Sequence, residues 1–137
     1  MKYFFDTNVL VYLFDSGSPK KQQRARELLE THTRSGETLL STQVLQEFYV
    51  TVTRKLSVPL KAEAALAAVR DLAVLPTVRV DIPLIMAAIR LSTERKISFW
   101  DGLILHAAAE GGAAILYSED LQHGQTINGV KIANPFR

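Results

Sequence analysis

Two rhythms of apolar residues alternate along the chain. Short continuous apolar runs, the pattern of strands covered on both faces, fall at Tyr3 to Asp6, Thr38 to Leu40, Val78 to Val80, Ala114 to Tyr117 and Val130 to Ile132. Segments with helical spacing separate them. Asn8 to Phe14 predicts a short helix, and Lys20 to Thr33 a polar-rich one with Ala25, Leu28, Leu29 and His32 on one side. Ser41 or Thr42 can cap a helix running to about Leu56. Lys61 to Leu75 reads as a helix stopped by Pro76, and Ile82 to Arg95 as one with Pro83 in its first turn. Ser98 to Glu110 reads as a last helix, ended by Gly111 and Gly112. Strands separated by helices predict parallel pairing through right-handed crossovers. The expected fold class is therefore α/β, a three-layer α/β/α sandwich with a central parallel sheet of about five strands. Loop signals such as Ser16-Gly17-Ser18-Pro19, Ser35-Gly36 and Asn128-Gly129 are short, and no repeat appears, so residues 1–137 read as a single domain.

Composition narrows the chemistry. The 137 residues contain no cysteine, which excludes a disulfide framework and a thiolate metal site and fits a reducing cytoplasm. No run of about 18 apolar residues suggests a membrane span, and Asp6 interrupts any apolar signal region. The net charge of +2 and a sequence pI near 9.0 permit a polyanionic partner without requiring one. There is no Gly-rich phosphate loop and no Gly-x-Ser-x-Gly elbow.

In parallel α/β sheets the ligand site lies outside the carboxyl ends of the strands. Asp6 ends the first strand there, Ser118-Glu119-Asp120 follows the fourth, Glu47 lies in the helix after the second, and Asp101 sits in the first turn of the helix opened by Ser98. All four segments can reach one edge. Carboxylates gathered in this way repel one another and call for divalent cations, and hard oxygen donors suit Mg²⁺ or Mn²⁺. Such a cation can acidify a bound water and polarise a phosphoryl oxygen.

Each residue also has a plainer explanation. Asp6 can begin a turn, Asp101 fits a capping box with Ser98, and either Glu119 or Asp120 can supply the fourth carboxylate. Glu47 falls off an apolar stripe of Leu45, Phe48, Tyr49, Val52 and Leu56, as a solvated glutamate would. Phe99 and Trp100 read as core anchors, Asp81 as a helix cap, and Asp15 as a loop residue. His106 reads as packed or solvent-facing, and His32 as a lone histidine. His123 lies in a loop near the acidic edge, where it either touches substrate or plays no part. Lys20, Lys21, Arg24, Arg26, Arg54, Lys55, Arg95 and Lys96 are the basic residues available to attract a polyanion, although a solvated charged face explains the helix from Lys20 equally.

With these residues assembled, the sequence resembles the PIN-domain family, in particular the VapC-type toxins of prokaryotic toxin–antitoxin pairs. The resemblance covers essentially the whole chain. It rests on Phe5-Asp6-Thr7-Asn8, on Glu47 within Gln43 to Tyr49, on Ser98-Phe99-Trp100-Asp101, on Tyr117 to Gly124, and on the ending from Val130 to Phe136. It implies a parallel sheet between helices and a Mg²⁺- or Mn²⁺-dependent endoribonuclease acting on RNA. It further implies an acidic site of Asp6, Glu47, Asp101 and Asp120, with Thr7, Asn8 and Ser118 as supporting polar groups. A homodimer and a cognate antitoxin protein that occludes the site are also implied. Family members often carry threonine where Ser118 stands, and serine keeps the hydroxyl.

Two other readings compete. A phosphotransferase or phosphatase of the haloacid-dehalogenase type would have a second aspartate two positions after the first, where this chain has Asn8. A catalytically silent binding module would keep the fold and work through its partner, and the intact acidic set weighs against it.

Overall fold

The computed structural model describes all residues, 1–137. Six strands, β1 (Lys2–Phe5), β2 (Thr38–Ser41), β3 (Thr77–Val78), β4 (Ala113–Tyr117), β5 (Thr126–Ile127) and β6 (Val130–Ala133), form one sheet in the order β3-β2-β1-β4-β6-β5. Every pairing is parallel except β5 with β6. Six helices connect them: α1 (Thr7–Val11), continued by a 3-10 turn over Tyr12–Phe14, α2 (Pro19–Arg34), α3 (Thr42–Arg54), α4 (Ala62–Leu72), α5 (Ile82–Arg95) and α6 (Phe99–Glu110).

The chain steps outward from β1 to β2 to β3 and then returns over them to β4. With right-handed crossovers, the two directions of travel put α1 to α4 and the α5–α6 pair on opposite faces. Burial agrees. Phe4 and Phe5 point to opposite sides of β1, as successive strand residues must, and both are fully buried. All four residues of β2 are buried as well. A single cluster of buried apolar side chains runs from these strands into Val44, Phe48 and Val52 of α3, Leu84 and Ala88 of α5 and Leu103 to Leu105 of α6.

The expected three-layer α/β sandwich is present, with six strands rather than five. The additional strand is β5, whose two residues are too short to form an apolar run. It pairs with β6 through a hairpin in which Asn128 and Gly129 both have positive φ, 50° and 79°. Asn-Gly with that geometry is the preferred two-residue hairpin turn. The third strand is Thr77–Val78 rather than Val78 to Val80. The Val80 amide leaves the sheet and donates to the Thr42 hydroxyl at 3.1 Å.

The caps set the entry points of the helices that matter below. Ser41 caps α3 by accepting from the Val44 amide, Asp81 caps α5 by accepting from the Leu84 amide, and Ser98 caps α6 by accepting from the Asp101 amide. Gly102 lets α6 lie close on α5, because a Cβ there would stand 2.9 Å from the Ala88 carbonyl oxygen.

Candidate active site

Asp6 leaves β1 at its carboxyl end and caps α1, its Oδ1 accepting from the Thr7 amide at 2.7 Å. Ser118 leaves the neighbouring strand β4 and donates its hydroxyl to Asp6 Oδ2 at 2.8 Å. The same Ser118 oxygen accepts from the Asp120 and Leu121 amides at 3.2 and 3.3 Å, which shapes the turn after β4. From α1, the Thr7 hydroxyl donates to Glu47 Oε1 at 2.7 Å, and the Asn8 amide donates to Asp120 Oδ2 at 2.8 Å. Gln43, one turn before Glu47 on α3, donates to Glu47 Oε2 at 3.4 Å and to the Trp100 carbonyl at 3.2 Å. Gln43 thereby ties α3 to the first turn of α6, where Asp101 stands.

The result is an open cleft of about 490 Å³ lined by Asp6, Glu47, Asp101 and Asp120 together with Thr7 and Asn8. Ser118 is fully buried beneath it. All four carboxylates expected at the strand edge reach this one cleft. Glu119 does not. It turns away to accept from the Tyr12 hydroxyl at 2.6 Å and to pair with the Lys21 ammonium. His123 is also outside the cleft, its Nδ1 accepting from the Asn134 amide at 2.9 Å. His32 is not alone: it stacks on Tyr3 and bonds the Tyr117 hydroxyl at 3.1 Å.

Two readings of individual residues are corrected. Trp100 is not a core anchor, being 62% exposed on the rim of the cleft, whereas Phe99 is half-buried against the core. Trp100 occupies the first turn of α6, ahead of the positions that face the sheet. The buried stripe of α3 is Val44, Phe48 and Val52, while Tyr49 is exposed. That rotation of the helix brings Gln43 and Glu47, spaced i and i+4, to the cleft. Gln43, Gln46 and Thr51 line the cleft without a sequence signal that named them, and Lys55, one of the basic residues expected to attract a polyanion, lines it as well. The i, i+4 pairing of Gln43 with Glu47 is the signal that could have found Gln43.

Burial, reinforced by neighbouring negative charge, sets the electrostatics of the cleft. Burial pushes the Asp6 carboxyl up to about 6; its bonds from Ser118 and the Thr7 amide oppose the rise, and the Asp120 and Glu47 charges add to it. Asp120 is raised by burial and by Glu119, Asp101 and Glu47, against the pull of the Asn8 bond. Glu119 behaves oppositely. Burial alone would raise it, but Lys21 and Tyr12 hold it below the ordinary range.

The donor set fits a hard divalent cation: four carboxylates, neutral amide and hydroxyl oxygens, and one cationic residue, Lys55, along the lining. No three acidic side chains converge into a ready coordination shell.

The fold and cleft define an α/β protein with an acidic site at the carboxyl edge of a parallel sheet. Residues 3–126 match the PIN domain, and the chain belongs to that family. Its structure is similar to VapC20 of Mycobacterium tuberculosis, a sarcin-ricin loop cleaving toxin, with TM-score 0.68 and 19% identity over 87% of this chain and 90% of that one. A toxin–antitoxin complex from Klebsiella pneumoniae matches with TM-score 0.70 and 19% identity over 98% of each chain. DNA-bound VapBC from Salmonella typhimurium matches with TM-score 0.68 and 21% identity over 98% of each chain. No curated protein matches the chain. No helix is long and apolar enough to cross a membrane.

Proposed function

We propose that this protein is a metal-dependent endoribonuclease, the toxin of a toxin–antitoxin pair, and that Asp6, Glu47, Asp101 and Asp120 are its catalytic, metal-holding carboxylates. The observation that carries this reading is the meeting of four carboxylates from four separate segments in one cleft, where burial first and the Asp120 and Glu47 charges after it raise Asp6 to about 6. A Mg²⁺ or Mn²⁺ ion bound there would supply an activated water and polarise the phosphoryl oxygen of an RNA phosphodiester. The chain's own part is positioning. Thr7 fixes Glu47, Asn8 fixes Asp120, and Ser118 with the Thr7 amide fixes Asp6, each through one short bond that leaves other carboxylate lone pairs free. Exposed Trp100 offers an aromatic face at the rim against which a base can stack.

Membership of the PIN family supports the nuclease chemistry, and the likeness to VapC and VapBC structures supports an antitoxin partner. The homodimer is part of the same proposal. Ile82, Met86 and Ile89, spaced i, i+4 and i+7 on α5 and all more than half exposed, give an apolar face for a second copy. The cysteine-free sequence fits a cytoplasmic site of action.

The test is cleavage of a total-RNA and tRNA pool by purified protein with Mg²⁺, with Mn²⁺ and with chelator, beside Asp101→Asn. Discrete fragments that need metal and vanish in the variant are expected. The spread of the carboxylates without a ready three-ligand shell favours one other reading, a silent binding module. Mn²⁺ titration separates the two: the nuclease loses its Mn²⁺ site in Asp101→Asn, and the silent module has none to lose.

A further inference from the structure

A second groove, of about 260 Å³, has a charge opposite to that of the acidic cleft. Lys20, Lys21 and Arg24 of α2 line it with Pro135, Phe136 and Arg137. Glu119 pairs with Lys21, which leaves Lys20, Arg24 and Arg137 without an acidic partner. The Arg24 Nε donates to the Pro135 carbonyl at 3.0 Å, which fixes the side chain while leaving both terminal guanidinium nitrogens free for a bidentate acceptor. The Lys21 ammonium lies 4.9 Å from the Tyr12 ring centre and 5.5 Å from that of Phe136.

Helix stability does not account for this cluster. The amino end of a helix carries partial positive charge and favours acidic residues. α2 places Lys20 and Lys21 there, has no acidic residue in its first turn, and receives no side-chain cap from Ser18. An arriving anion would relieve all three. The acidic cleft cannot by itself attract a polyanion, so attraction has to come from nearby cations. One ion pair links the two sites: Glu119 holds Lys21 of the groove, and the next residue, Asp120, lines the cleft.

We infer that this groove binds a backbone phosphate of the same RNA strand whose scissile phosphate lies in the acidic cleft, with Lys20 and Arg24 as its principal contacts. The inference rests on the nuclease reading, which supplies RNA as the ligand. The link from groove to cleft through Lys21, Glu119 and the adjoining Asp120 favours a nucleic-acid strand over an acidic peptide.

The test is equilibrium binding in chelator, where no cleavage occurs, of a single-stranded RNA oligonucleotide over a range of salt. Lys20→Glu and Arg24→Glu are compared with the parent and with Arg70→Glu, an exposed charge reversal on α4. Each groove variant is expected to weaken binding about tenfold at low salt and to reduce the salt slope by about one. Arg24→Lys should recover only part of the affinity, and the Mn²⁺ dissociation constant should stay at the parental value. Equal losses in Arg70→Glu, or parental slopes in both groove variants, would overturn the inference. So would a poly-glutamate peptide that depends on Lys20 and Arg24 where RNA does not. Absence of cleavage with groove-dependent RNA binding intact would instead count against the nuclease reading alone.

Discussion

The charge on Asp6 should withdraw stability from the metal-free protein as pH rises, a contribution separable from that of other groups by comparison with Asp6→Asn. Its carboxyl titrates near 6 when folded and near its ordinary 3.8 when unfolded. Between those values the native state holds the proton and the unfolded chain does not. The contribution of Asp6 to stability is therefore greatest below pH 4, declines through pH 4 to 6, and is gone above. The span corresponds to about 3 kcal/mol by linkage. Asp6→Asn removes the titration but disturbs the hydrogen bonds. The Ser118 oxygen already accepts from the Asp120 and Leu121 amides, so an asparagine NH₂ facing it finds no free lone pair. One unmade buried bond costs about 1–3 kcal/mol, enough to cancel the gain at neutral pH. The absolute stability of the variant is thus a poor readout, whereas the pH dependence of the difference is a clean one. Urea denaturation of both proteins in chelator from pH 4 to 7.5 should show Asp6→Asn gaining about 2–2.5 kcal/mol on the parent across that range, whatever the starting offset. Subtracting one protein from the other cancels Glu119, whose lowered titration contributes stability that is lost toward low pH. A difference flat to within about 1 kcal/mol would refute the claim that Asp6 is held as a destabilised anion.

Other residues give equally definite expectations. Ser118→Ala leaves the Asp120 and Leu121 amides and one Asp6 oxygen without their shared partner; it should cost about 1–3 kcal/mol in denaturant and raise the Asp6 titration further, visible in the same pH series. Gly102→Ala forces a Cβ to 2.9 Å from the Ala88 carbonyl, so it should destabilise the α5–α6 pair by about 1–3 kcal/mol and lower the melting temperature despite alanine's better helix propensity. Lys96 ends α5 with φ at 54°. Lys96→Gly should raise stability by about 0.5–1 kcal/mol, because the left-handed strain it relieves exceeds glycine's entropy cost.

The sheet was legible because its central strands are buried on both faces and read as unbroken apolar runs, Phe4-Phe5 and Leu39-Leu40 above all. What escaped was short or a matter of phase. Thr126 and Ile127 carry no strand pattern by themselves, and only the Asn128-Gly129 turn marks the hairpin. On α3 the choice between a stripe centred on Val44, Phe48 and Val52 and one including Leu45 and Tyr49 rotates the helix by part of a turn. That rotation decides whether Glu47 meets solvent or the Thr7 hydroxyl. Trp100 misled because residue type predicts burial on average, whereas its place in the first turn of α6 puts it at the rim. Asp6 and Asp101 were easier to place because each sits where a strand ends or a helix begins, and the sheet topology fixes where those points lie.

The choice between Glu119 and Asp120 shows how the fold separates two adjacent carboxylates by partner rather than by distance. Glu119 receives a hydroxyl and an ammonium, and its carboxyl is held down as a satisfied anion. Asp120 receives one neutral amide from Asn8, and burial, then the charges of Glu119, Asp101 and Glu47, hold it up. Asp6 is treated in the same way, with a hydroxyl and a backbone amide and no cation. Were these aspartates structural, a lysine or arginine in place of Thr7, Asn8 or Ser118 would neutralise them, as Lys21 neutralises Glu119. Neutral donors orient a carboxylate without cancelling its charge. The cleft therefore stays short of positive charge; on the proposed function a bound cation would supply it, and the stability lost at Asp6 would be recovered on binding.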